Sequence, residues 1–340
     1  EYNGIKVFDS EGYKLGDKEE ERIERCFIHE KTNDFPDIGS YEQNLHLIKR
    51  YREFLLNAVE HSFAGKTIVL DGAFGAAHRI APDVFRRAGA SVIAANCVDD
   101  GLSINRNCGA VYPHNLARKV LRYKADMGFA FDGDADRLIA VDEHGDVIDG
   151  DMILCALAKY FDAQGKLPCR TAVGTSHTNM AIENDLKAHG ISLVRTDIGD
   201  KYVLAKLLEK GYSLGGEQSG HIILKDYATT GDGILTAIAL TNMLISENKT
   251  LAEGVKIPLY PQENKNVPVE DKFRVINSEE LSKQVAKYNA ALAGKGRLMI
   301  RASGTEPKIR VMVESKDEAL NREVAAALVA TIEKINGEKA

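Results

Sequence analysis

No stretch of the 340-residue chain approaches the ~20 consecutive apolar residues that a membrane span requires, so no membrane partner is expected. The opening Glu1-Tyr2-Asn3-Gly4 likewise lacks the basic flank and apolar run of a secretory signal. Cysteine is sparse and badly placed for cross-linking. Cys26, Cys97, Cys108, Cys155 and Cys169 are odd in number, widely spaced and free of any CxxC pair, which argues against a disulfide framework and a zinc site. A reducing, cytoplasmic setting is the expectation. Excess positive charge is missing too: 44 Lys+Arg face 50 Asp+Glu, the formal net charge is -6, and no basic stripe tracks nucleic-acid phosphates. No nucleic-acid partner is expected, and a homodimer is compatible with this composition.

What is present is ordinary globular material. With 44% hydrophobic and 28% charged residues the chain can build large cores, and its length suggests two or three domains. An initial Met is absent, and residues 2–8 read as a strand entering a turn at Gly12, so a fragment of something longer is expected. A charged helix over 17–30 leads into a polar stretch at 31–40. From 45 onward, apolar residues at helical period alternate with short strand-like runs at 67–70, 92–95, 127–131 and 138–141, a βαβ rhythm. A second α/β stretch follows to about 255. Pro258, Pro261 and Pro268 then suggest a linker, because each removes a backbone donor. Beyond them come a strand near 273–275, a helix over 279–292, strands at 297–301 and 309–314, and a helix over 320–335. The fold class expected is consecutive α/β domains with mixed sheets, followed by a smaller α+β C-terminal domain.

Three loops carry chemistry. Asp132-Gly133-Asp134-Ala135-Asp136-Arg137 follows an apolar strand; its alternate carboxylates can converge on one hard cation if Gly133 lets the backbone curl. An EF-hand is the competitor, and it fails because Arg137 stands where the sharp turn needs glycine. A solvated acidic turn is the bland alternative. Gly215-Gly216-Glu217-Gln218-Ser219-Gly220-His221 combines glycines with donors and acceptors suited to sugar hydroxyls, and could also be a tight polar loop. Arg301-Ala302-Ser303-Gly304-Thr305-Glu306-Pro307-Lys308-Ile309-Arg310 offers amides, hydroxyls and guanidinium groups to an anion, against the alternative of a structural turn. It does not match the P-loop pattern GxxxxGK[ST].

The runs DGDADR, GGEQSGH and RASGTEPKIRVMVE, in that order, resemble the α-D-phosphohexomutase superfamily, and within it the bacterial phosphoglucosamine mutase family; the likeness covers essentially the whole chain. Gln218 favours that branch over the phosphomannomutase/phosphoglucomutase relatives, which usually carry Met there. The resemblance implies a four-domain protein whose domains each give one loop to a cleft. On it, residues 1–40 would be the end of domain one, 41–148 domain two with the metal loop, 149–257 domain three with the sugar loop, and 258–340 domain four with the phosphate loop. It further implies a phosphoserine upstream of Glu1, so this chain alone is expected not to turn over.

Carried over by position, Asp132, Asp134 and Asp136 would bind Mg2+, with Arg137 and Lys6 acting at the reacting phosphoryl group and hydroxyl. Glu217 and Ser219 would hold sugar hydroxyls, and Arg301, Ser303, Gly304, Thr305 and Arg310 the distal phosphate of a hexosamine phosphate. The implied reaction interconverts glucosamine 6-phosphate and glucosamine 1-phosphate through a bisphosphate. That reaction belongs to amino-sugar metabolism, on the route to UDP-N-acetylglucosamine and peptidoglycan precursors. The alternatives are a phosphomannomutase/phosphoglucomutase and a non-catalytic sugar-phosphate-binding fragment. One departure from the family is Gly174-Thr175-Ser176-His177-Thr178-Asn179, where a GTVMSN-like run is usual. A haloacid-dehalogenase type phosphatase fits Asp132 and Asp134, but Asp136 stands where its DxDx[TV] motif needs Thr or Val.

Overall fold

The computed structural model describes residues 6–29, 40, 45–304 and 306–337. They form two compact units, one of residues 1–178 with 185–256, the other of 179–184 with 257–340. Among the described residues no helix is long and apolar enough to cross a membrane.

In the first unit the strand expected over 2–8 lies mostly outside the described residues; Phe8 makes an antiparallel bridge to Lys14 around Gly12. Helices α1 (Asp17–His29) and α2 (Leu45–Asn57) precede the first sheet. That sheet contains β1 (Thr67–Asp71), β2 (Ser91–Ala95), β3 (Met127–Phe131), β4 (Leu138–Asp142) and β5 (Val147–Ile148), with α3 (Ala77–Arg87) and α4 (His114–Tyr123) as crossovers. Its order is β2-β1-β3-β4-β5; β1 runs parallel to β2 and β3, while β4 runs antiparallel to β3 and β5 to β4. The central strands MGFAF and LIAVD are buried along their whole length, the reason they read as unbroken apolar runs. Phe85 joins α3 to this layer, its ring 5.5 Å from Phe63 and 5.8 Å from Phe129.

The second sheet follows α5 (Gly150–Ala163), which starts where Asp149 accepts from Met152 N at 3.1 Å. It contains β6 (Thr171–Thr175), β7 (Ser192–Thr196), β8 (Leu214–Gly216) and β9 (Ile222–Leu224) in the order β7-β6-β8-β9. Helix α6 (Met180–Ala188) lies between β6 and β7 in sequence, and α7 (Asp200–Lys210) between β7 and β8. Helices α8 (Gly233–Ser246) and α9 (Leu251–Val255) complete the unit. Strand β8 was hidden in the sequence, because glycine stands at two of its three positions and offers no strand propensity.

The second unit packs β10 (Gln262–Pro268), β11 (Gly296–Ala302) and β12 (Lys308–Ser315) as an antiparallel sheet, order β10-β12-β11, against α10 (Lys272–Ile276), α11 (Glu279–Leu292) and α12 (Glu318–Gly337). Two sequence expectations are corrected here. The proline-rich stretch is in large part strand β10, because that strand lies at the sheet edge, with Pro261 just before it and Pro268 its last residue. The strand expected near 273–275 is helix α10, because the Asp271 carboxylate accepts from Phe273 N at 2.9 Å and Arg274 N at 3.0 Å.

One buried carboxylate organises the carboxyl end of the first sheet. Asp71, fully buried, accepts from Ala73 N and the Asn96 amide at 3.0 Å each and from Gly109 N at 3.1 Å. Ala73, Phe74 and Asn96 around it are in left-handed conformations. Asp71→Ala leaves three donors without an acceptor and is expected to destabilise the chain by about 3 kcal/mol in urea titration. A loss under about 1 kcal/mol would mean that water or a rearranged loop satisfies those donors.

Candidate active site

The acidic loop leaves the carboxyl end of β3, where ligand sites of parallel sheets form. Asp132, Asp134 and Asp136 present carboxylate oxygens all within 4.8 Å of one another. The curl has a different origin from the one the sequence suggested. The left-handed residue is Ala135, at φ +63°, whose carbonyl accepts from Gly233 N at 2.9 Å. Gly133 serves close approach instead: a Cβ there would lie 2.7 Å from Ile104 Cγ2, and Gly133 O accepts from Ala76 N at 2.8 Å.

The charges in this loop are poorly balanced without a cation. Burial, then the charges of Asp136 and Asp134, push the Asp132 carboxyl up to about 6, against the Arg137 backbone N–H that donates to it at 3.1 Å. The Arg137 guanidinium is 3.7 Å from Asp132 and 3.9 Å from Asp136. Burial would also raise Asp136, but hydrogen bonds from His221 and Lys6 outweigh it and hold that carboxyl well below its usual range. Its Oδ1 is buried with no hydrogen-bond partner. Lys6 reaches in across the fold, bonding to Asp134 and, at 2.6 Å, to Asp136. Burial lowers the Lys6 ammonium, the two carboxylates raise it more, and the net shift is upward. An orphaned carboxylate oxygen, three hard oxygen donors and an ammonium drawn in among them fit a divalent cation.

The GGEQSGH loop, expected to hold sugar hydroxyls, joins β8 to β9 and is sewn to the strand that leaves the acidic loop. Leu138 N donates to Gly220 O at 3.0 Å, and Gly150 N to Gln218 O at 3.0 Å. Of the expected residues, Glu217 accepts from Gly199 N at 3.0 Å, and Ser219 is exposed. Gln218 is turned back instead, its amide donating at 3.3 Å to Asp149, the cap of α5. Sequence reading also missed His221. It is 3% exposed and stands between two carboxylates, 3.5 Å from Asp136 and 3.7 Å from Asp200, while Lys14 pairs with Asp200 from the far side. Its place at the end of the GGEQSGH run was the available signal.

In the second unit Arg301 on β11 is directly opposite Arg310 on β12. Like charges at such a pair repel unless an anion bridges them. Burial, then Arg310, lowers the Arg301 guanidinium, and Arg310 Nε is buried without a partner. Ser303 is buried with its N–H on Lys308 O at 2.9 Å, Gly304 has open space beside its Cα, and Thr305 lies outside the described residues.

Family models for phosphoglucomutase/phosphomannomutase match residues 49–145 (alpha/beta/alpha domain II), 149–260 (alpha/beta/alpha domain III) and 265–331 (C-terminal domain). Phosphoglucosamine mutase of Carboxydothermus hydrogenoformans is 43% identical over 340 residues, 98% of this chain and 76% of that protein. The phosphoglucosamine mutase of Caldicellulosiruptor saccharolyticus is 46% identical over 343 residues, with the same shares. The chain belongs to the phosphoglucosamine mutase family. A member of that family is an isomerase-type phosphotransferase.

Solved structures agree on the fold. A phosphoglucomutase/phosphomannomutase family protein from Burkholderia thailandensis superposes with a TM-score of 0.76 at 22% identity, covering 96% of this chain and 71% of that one. Aspergillus fumigatus N-acetylphosphoglucosamine mutase, solved with GlcNAc-6P and magnesium, gives 0.66 at 19% identity, covering 84% and 65%.

Proposed function

We propose that this chain carries the metal, sugar and distal-phosphate loops of a mutase that interconverts glucosamine 6-phosphate and glucosamine 1-phosphate, with Mg2+ as its cation. The observation that carries the reading is the carboxylate trio with a buried Asp136 oxygen that accepts no hydrogen bond, joined through Leu138 and Gly220 to the glycine-rich loop. When bound, Mg2+ offsets charge on the transferring phosphoryl group.

The chain's own residues divide the work of binding and positioning. Asp132, Asp134 and Asp136 hold the cation, and the half-exposed Arg137 adds a guanidinium for phosphoryl oxygens. Lys6, an ammonium bonded to two of those carboxylates, is placed to donate hydrogen bonds to the reacting oxygens. The second Glu217 oxygen and the Ser219 hydroxyl orient the sugar. Arg301, Ser303, Gly304, Thr305 and Arg310 bind the phosphate that is not reacting, which lets one cradle receive either end of the substrate. The turned-back Gln218 fixes the sugar loop on α5 and makes no direct choice of sugar.

The experiment follows phosphorus NMR of the protein carrying this chain, given Mg2+, glucosamine 6-phosphate and a trace of the 1,6-bisphosphate. Glucosamine 1-phosphate should form, stop forming on chelation, and form again when Mg2+ is restored. Binding of glucosamine 6-phosphate with no 1-phosphate under any of these conditions would sink the mutase reading.

A further inference from the structure

The basic residues around the phosphate loop are not used alike. Lys308 and Arg310 share the Glu306 carboxylate, at 2.8 and 3.3 Å. Lys272, at the start of α10 and 31 residues before Ser303, has no carboxylate partner among the described residues. Its ammonium donates instead to two consecutive carbonyls of the loop, Ser303 O at 2.7 Å and Gly304 O at 3.1 Å.

That choice of partner has a geometric consequence. A trans peptide points its C=O and its N–H in opposite directions. The Ser303 carbonyl that faces Lys272 therefore turns the Gly304 N–H away from it. That N–H has no acceptor among the described residues, and the space beside Gly304 is open. An outward N–H in the loop that joins the Arg301 and Arg310 strands can donate to an anion. The restraint is a charge-assisted one, stronger than a neutral hydrogen bond.

We propose that Lys272 is a positioning residue for the phosphate cradle: its ammonium holds the Ser303 and Gly304 carbonyls on one side so that the Gly304 amide faces the phosphate. This rests on the reading of residues 301–310 as a phosphate site. It adds a residue from outside that run, one with no place in the RASGTEPKIR pattern.

The test is a titration of the 340-residue chain with inorganic phosphate, followed by the backbone amide resonance of Gly304. In the wild type that resonance moves on saturation. In Lys272→Met it is displaced before any phosphate is added, and the Kd is weaker by tenfold or more. Lys272→Arg, which can still donate to both carbonyls, keeps the free resonance near wild type and the Kd within about threefold. Should Lys272→Met fail to fold, Lys272→Gln provides the same comparison, expected between the other two.

Wild-type Kd and wild-type Gly304 resonance in the Met or Gln variant overturn the proposal. So does weaker binding with an unmoved free resonance, which would make Lys272 a simple charge near the ligand. The underlying reading fails differently: Arg310→Ala would bind phosphate as tightly as wild type, or Gly304 would ignore phosphate in the wild type.

Discussion

Asp136→Asn is expected to weaken divalent-cation binding on the order of a hundredfold, while Lys6→Met tightens it several-fold. The opposite signs follow from one geometry. Asp136 is mostly buried, has an oxygen that accepts no hydrogen bond and shares its other oxygen with Lys6. Replacing it with an amide removes a charge and half of the acceptor capacity. Lys6 competes with the cation for Asp134 and Asp136, so its loss leaves both carboxylates to the metal. Mn2+ is the convenient probe, because the free ion is counted directly by electron paramagnetic resonance. Asp134→Ala, at the most exposed of the three carboxylates, should give a smaller loss. Unchanged Mn2+ affinity in Asp136→Asn would remove the loop from the metal site, whatever happens to turnover.

Gly220→Ala is expected to be the most damaging methyl addition in the sugar loop. A Cβ at this position would lie 2.2 Å from Leu138 O and 2.8 Å from Leu138 C, and the residue has φ +95°. Both neighbours are backbone, so no rotamer change can relieve the contact. Gly220 also accepts from Leu138 N at 3.0 Å, and that bond must lengthen as the chains separate. Left-handed strain of roughly 1–2 kcal/mol adds to the clash, for a total of about 4 kcal/mol or more. For a unit of this size that lowers the melting temperature by roughly 8–16 °C. Gly165→Ala isolates the contact term: it has φ +68° and nothing within 4 Å, so it should cost only about 1 kcal/mol. Equal melting temperatures for the two variants would show that the loop does not rest on Leu138. If the strand after the metal loop does carry the sugar loop, Gly220→Ala should also lower Mn2+ affinity, and Gly165→Ala should not.

Much of this molecule is legible along the chain. The apolar runs 127–131 and 138–141 announced the two central strands, because a strand buried on both faces must be apolar throughout. The alternate aspartates of the loop announced the carboxylate cluster that could hold a metal ion, because like charges so close in sequence need compensation. Glycine-poor helices with polar outer faces, such as α12, were found to within a few residues. These features are local. Each depends on residues within a dozen positions of one another, where spacing and side-chain chemistry are enough.

Where the reading missed, the deciding partner was distant. The 258–268 segment looked unstructured because its prolines were judged without knowing that β10 would be an edge, where a missing donor does no harm. Gln218 was read only as the mark of a branch, and its bond to Asp149, 69 residues away, has no signal in the local sequence. Sequence by itself singled out the groups that the proposed function uses: the three aspartates, the GGEQSGH loop and the two arginines Arg301 and Arg310. Only the tertiary structure decided what each faces, bringing Lys6 onto Asp136 across 130 positions and Lys272 onto Ser303 across 31. The physical reason is that hydrogen bonds and ion pairs reach only a few ångströms. Which groups come that close depends on how the strands register and the helices pack, not on their separation along the chain.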